Sequence, residues 1–149
     1  EMLRSLVGSE MCIRDSHTRI APGIEIPDAR YKNWFPNFTL SDLISDNTAT
    51  GLVVVGDSVD GLDNDAFANV HLNLYKDDKC IATGESSEVL GNPLNAIHWL
   101  IKKLHTHGKQ LKKGDIISSG TFISPLKLEY GTYRAEYSGI GKVSFSVNK

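Results

Sequence analysis

One stretch of helical period stands among a series of short, strand-sized apolar segments, and that combination narrows the possible architectures sharply. Leu94, Ile97, Ile101 and Leu104 recur at helical spacing, and Leu100 widens the same stripe. Asn92 is a good N-cap and Pro93 suits the first helical position, where a missing N–H costs nothing. Lys102, Lys103 and His105 in the last turns complement the helix dipole, and Gly108 supplies the stop. Before this helix, Ile24-Glu25-Ile26 lies between Pro22-Gly23 and Pro27, which reads as a brief edge strand or a loop entering the core. Phe38 to Ser45 admits a helical turn ahead of Asp46. The continuous run Leu52 to Val55 predicts a strand covered on both faces. Val70, Leu72 and Leu74 alternate with polar residues, Asp77-Asp78 turns the chain, and Lys79 to Thr83 returns as a hairpin partner. After the helix, strands are expected over Asp115 to Ser119 and over Ser124 to Leu128. Tyr133, Ala135 and Tyr137 alternate, as do Val143, Phe145 and Val147, around the tight connection Ser138-Gly-Ile-Gly141. The class that follows is α+β, mostly β, with one long amphipathic helix and no βαβ repeat.

Composition sets the outer bounds. The 149 residues suffice for one domain with a core of its own. A net charge of -2, with both signs interspersed, gives no nucleic-acid surface and no polybasic membrane patch. The longest apolar run, Gly51 to Gly56, is strand-sized, far short of the roughly 20 residues that span a bilayer. Two cysteines, Cys12 and Cys80, without C-x-x-C spacing, imply a reducing compartment, by default the cytoplasm.

The opening sixteen residues do not fit the rest. They have neither a signal-peptide h-region nor a sustained period, and Val7-Gly-Ser-Glu-Met-Cys-Ile-Arg-Asp-Ser16 resembles translated sequencing-adapter read-through. Residues 1–16 are therefore read as a non-native leader, and 17–149 as native sequence that begins inside a domain rather than at its edge.

Five blocks carry a family resemblance. Pro22 to Arg30, Asp46-Asn-Thr-Ala-Thr-Gly51, Thr83 to Leu100, Gly108 to Thr121 and Tyr137 to Val143 follow one another in the order found in 2-keto-4-pentenoate hydratases and 4-oxalocrotonate decarboxylases. The chain thus resembles the C-terminal part of a domain of the fumarylacetoacetase superfamily. The resemblance implies that superfamily's mixed β-roll, a homo-oligomer and a Mg²⁺ or Mn²⁺ cofactor. It also implies a metal-dependent hydratase, adding water to a 2-hydroxy-2,4-dienoate (the enol of a 2-keto-4-enoate) to give a 4-hydroxy-2-keto acid, as in aromatic meta-cleavage catabolism. In that family a hard cation held by oxygen ligands polarises the 2-keto group, which stabilises the enolate formed on ketonisation.

By the same resemblance Glu25 is the metal ligand, the third carboxylate beside an upstream E-x-E pair. Gly120 and Thr121, expected at a strand end, would hold the substrate carboxylate through a backbone N–H and a hydroxyl. Arg30 would bind substrate or orient Glu25, since its fork suits carboxylates. Asp46, Asn47 and Thr50 form the expected catalytic network; Ala49 stands where the family often has serine, leaving open which hydroxyl guides water or protons. No E-x-E pair occurs: Glu1 and Glu10 do not form one, and Glu85 and Glu88 precede the helix, where the family places no ligands. The chain as written is therefore not expected to assemble that metal site within one subunit.

Other readings remain. A decarboxylase of 4-oxalocrotonate-type acids or an acylpyruvate hydrolase would use the same framework, and a catalytically silent folding or oligomerisation unit would need no site at all. His98, His105 and His107 do not have zinc spacing. Cys80 reads as an incidental thiol. The glycine-rich Ser138–Gly141 joins two strands and so does not make a phosphate cradle at a helix N-terminus.

Overall fold

The computed structural model describes residues 18–32, 37–60 and 63–149. The leader assignment, together with Glu1, Glu10 and Cys12, lies outside these described residues. The strands are β1 (Arg19–Ile20), β2 (Gly23–Ile26), β3 (Leu52–Val55), β4 (Val59–Asp60), β5 (His71–Lys76), β6 (Lys79–Glu85), β7 (Gly131–Tyr137) and β8 (Gly141–Val147). The helices are α1 (Leu40–Ser45), α2 (Asn64–Ala68) and α3 (Pro93–Thr106), with a 3₁₀ turn at Ser86–Glu88.

The scaffold is a four-stranded antiparallel sheet in the order β6-β5-β7-β8. Period-2 alternation places Leu72 and Leu74 of β5, Ala135 of β7 and Val143 of β8 on one face, where they form the buried core. Burying each of the larger aliphatics contributes about 1.5–3 kcal/mol. Tyr133 stacks on Phe145, directly opposite it in the ladder, with ring centroids 5.3 Å apart. The turn Ser138–Ile140 closes β7 onto β8, as the alternation and the glycines predicted.

The long helix begins where its sequence signals put it. Asn92 accepts the Leu94 N–H at 2.9 Å and Pro93 opens the first turn. At the far end Gly108 takes φ +65, the left-handed conformation that ends a helix at little cost to glycine. Among the described residues no helix is long and apolar enough to cross a membrane.

Two expectations fail. Asp115 to Ser119 and Ser124 to Leu128 form no strands. Lys112 to Asp115 instead closes a turn, in which the Asp115 carboxylate accepts the Lys112 N–H at 2.7 Å, and Ile116 stays 78% exposed. Pro125 has no N–H for a ladder, and an apolar run does not become a strand without a paired neighbour. The second miss concerns β3. It forms, pairing with β2 in register Glu25↔Val53 and Ile26↔Leu52, but it is not covered on both faces. Val54 and its neighbour Ile24 pack onto the sheet core, whereas Leu52 and Val53 remain 69% and 54% exposed.

Candidate functional site

Helix α1 delivers the Asp46–Gly51 loop. Thr39 caps it in a reciprocal box: its hydroxyl accepts the Asp42 N–H while the Asp42 carboxylate accepts the Thr39 N–H. The helix ends in a Schellman arrangement, with Thr48 N–H on Leu43 O at 2.7 Å and Asn47 N–H on Ile44 O at 3.2 Å. The left-handed cap does not stop at one residue. Asn47, Thr48 and Ala49 have φ of 53, 59 and 54, and each left-handed non-glycine residue costs about 1–2 kcal/mol.

Contacts at both ends offset that strain. Arg30 donates from Nη1 to Asp46 Oδ1 at 3.1 Å and from Nη2 to Thr50 O at 2.6 Å, and its backbone N–H reaches Asp46 Oδ2 at 3.1 Å. One arginine thus spans the turn. Asp28 N–H bonds Ala49 O at 2.9 Å, and Ala49 is buried. Inside the turn the Thr50 hydroxyl donates to Asn47 O at 2.5 Å and accepts the Asn47 amide at 3.2 Å. The structure therefore brings Arg30, Asp46, Asn47 and Thr50 into one hydrogen-bonded unit. Its arginine holds the loop, with the guanidinium plane fixed by Asp46.

Glu25 sits on β2, exposed, opposite Val53. The sheet residue beside it is Tyr137, at the end of β7. Its hydroxyl donates to Gly23 O at 2.6 Å, and its ring meets that of Phe122 edge-on, centroids 5.7 Å apart. Burial, and then the negative charge of Glu25, push the Tyr137 phenol up to about 12. Tyr137 was legible in the sequence as one member of an alternating strand and as the first residue of the closing-hairpin block, without a role of its own. The signal that could have singled it out is a phenol on the apolar face, which must find a partner for its hydroxyl.

Gly120 and Thr121 lie on an irregular segment, correcting the expected strand end. Gly120 takes φ +126, a conformation open to glycine, and a Cβ there would come within 3.0 Å of Val89. The Thr121 hydroxyl is engaged locally, donating to Ile123 O at 2.9 Å. The segment is pressed onto β6: a Cβ on Gly84 would lie 2.2 Å from Phe122 O.

A divalent cation of the Mg²⁺ type requires several oxygen ligands. Glu25 offers one carboxylate, and among the described residues no three His, Cys, Asp or Glu side chains gather as a metal-holding group. These residues do not by themselves fit such an ion. His98, His105 and His107 lie along and just past α3, and His98 Nε2 is buried without a hydrogen-bond partner.

No family model matches the chain. It is 31% identical over 124 residues to 2-keto-4-pentenoate hydratase 1 of Dechloromonas aromatica (strain RCB), covering 83% of this chain and 46% of that protein. Identity to 2-keto-4-pentenoate hydratase 2 of the same organism is 34% over 125 residues, covering 83% and 47%. The 2-oxo-hept-4-ene-1,7-dioate hydratase of Escherichia coli is 31% identical over 130 residues, covering 84% and 49%. The chain therefore spans about half the length of the curated relatives it matches. Among solved structures, 4-oxalocrotonate decarboxylase from Pseudomonas putida G7, complexed with calcium and acetate, superposes with a TM-score of 0.72 at 21% identity, over 85% of this chain and 47% of that one. The same enzyme complexed with magnesium and adipate gives 0.70 at 23% identity, over 85% and 48%. At that identity the likeness establishes the fold, the mixed β-roll that the sequence blocks implied.

Proposed function

Because the chain belongs to the 2-keto-4-pentenoate hydratase family of the fumarylacetoacetase superfamily, we propose that it is part of a hydro-lyase adding water to a 2-hydroxy-2,4-dienoate to yield a 4-hydroxy-2-keto acid. The observation that carries this reading is Glu25, an exposed carboxylate on a paired strand, within the five-block stretch that resembles hydratases. In this reading Glu25 is a ligand to a divalent cation, Mg²⁺ or Mn²⁺, whose other ligands come from outside the described residues. Such a cation is consistent with the calcium and magnesium complexes of the decarboxylase relative.

The chain's own residues have separable tasks. Arg30 and Asp46 keep the strained 47–49 turn beside the exit of β2, and Asn47 and Thr50 present a short polar relay along which a proton or water can be oriented. Arg30 serves substrate indirectly, by holding this loop. The backbone N–H groups of the Gly120–Thr121 segment receive the substrate carboxylate, the Thr121 hydroxyl being engaged with Ile123. A homo-oligomer in the cytoplasm completes the proposal; the exposed thiol of Cys80 suits a reducing compartment.

A second reading, decarboxylation of a 4-oxalocrotonate-type acid, draws on the superposition with that decarboxylase. Sequence identity of 31–34% to hydratases against 21–23% to the decarboxylase favours hydration.

Calorimetric titration of Mg²⁺ with oxalate, a chelating analogue of a 2-keto acid, tests the proposal. Binding by the protein joined to the segments that supply the remaining ligands, falling at least about tenfold in Glu25→Ala, is the expected result. Equal binding by both proteins removes Glu25 from the site, and no binding by either leaves the chain as a silent unit.

A further inference from the structure

We propose that Tyr137 is a positioning residue which sets the spacing between Glu25 and the Gly120–Thr121 segment. This rests on the functional reading of those two elements and adds to it the part that holds them in register. The hydroxyl end of Tyr137 grips β2 at Gly23 O, 2.6 Å away and two residues before Glu25. The ring edge grips Phe122, the residue after Thr121. Tyr137, like Ile24, Val54, Phe122 and Ile123, packs against the core layer of Leu72, Leu74, Ala135 and Val143. One side chain on the four-stranded sheet therefore touches both partners of the site, each through a different part of its structure.

The two grips differ in kind, and this makes them separable. The hydrogen bond is directional and fixes the strand backbone, while the ring contact is a packing surface. Gly84 backs the second grip: with no Cβ it lets the Phe122 carbonyl rest on β6, so the 120–123 segment is confined between Gly84 and the Tyr137 ring. On the first side β2 is paired only with β3, itself paired with nothing else among the described residues. The Gly23–Tyr137 bond is therefore a tie from that ribbon to the sheet that does not depend on packing, across a separation of 114 residues in sequence.

Tyr137→Phe removes the hydroxyl and keeps the ring, so the core stays filled. Deuterium uptake of the whole chain, read by mass spectrometry, should rise at least about threefold in peptides covering Gly23–Ile26. Uptake in Gly141–Val147 should not change. Tyr137→Leu, which removes both grips, should add the same rise across 120–123. Unchanged uptake at Gly23–Ile26 in Tyr137→Phe, or a uniform rise across the chain in either variant, overturns the proposal. Titration of Mg²⁺ with oxalate separates this from the functional reading. If the parent chain binds, Tyr137→Phe should bind roughly fivefold more weakly, the loss expected for one hydrogen bond, and equal affinity overturns the proposal. If the parent chain does not bind, the uptake pattern alone decides the role of Tyr137.

Discussion

The β5–β8 sheet and the β2–β3 ribbon are both antiparallel β-structure, yet they are held by different forces. In the sheet, alternating apolar side chains from three strands meet in one buried layer. In the ribbon, the apolar residues Leu52, Val53 and Val55 are exposed, and the connection after Glu25 is secured by Arg30, Asp46 and Thr50. The polar residues assigned to function cluster on the second region. A site needs exposed carboxylates and backbone held in unusual conformations, and a hydrophobic layer supplies neither.

The largest test of this contrast is a pair of truncations. Leu72→Ala, in the core layer, should cost about 2–5 kcal/mol in denaturant unfolding. Leu52→Ser, at an exposed ribbon position, should change stability by less than about 0.5 kcal/mol while reducing aggregation, since it removes apolar surface from an edge strand. Equal costs would mean that β3 is covered in solution and that the two regions are one core.

A smaller effect is expected from Asp46→Ala. It removes the acceptor for both the Arg30 side chain and its N–H, one partner being largely exposed, so about 1–2 kcal/mol should be lost. The loss should appear as faster hydrogen exchange confined to 46–51. If the chain unfolds more easily but the loop does not loosen, the clamp is not what holds the left-handed turn.

The two regions were also unequally legible in sequence. The long helix and β5 to β8 follow from local signals: the Asn92-Pro93 start, the Gly108 stop, and alternation in which each buried residue names its own face. Segments 115–119 and 124–128 misled because apolar content says nothing about whether a partner strand is adjacent, and Pro125 argued against one. The Asp46–Gly51 loop was identifiable by its resemblance, while Arg30 was left open between substrate, Glu25 and a surface salt bridge, and it pairs with Asp46. Its actual position depends on a turn of three left-handed residues that no propensity rule anticipates at Thr48 and Ala49. Tyr137 was hidden for another reason: both of its contacts arise only when distant segments fold against β7.

In the proposed function, ligand recognition belongs to the β2–β3 ribbon and its neighbouring loops, with the sheet as their support. Backbone amide shifts recorded while Mg²⁺ and oxalate are titrated into the protein that carries the remaining ligands separate the two regions. The account predicts perturbations concentrated at 23–30, 46–51 and 120–123, with Val143 and Phe145 of β8 unmoved. Shifts centred on β8, or spread evenly over the sheet, would contradict it.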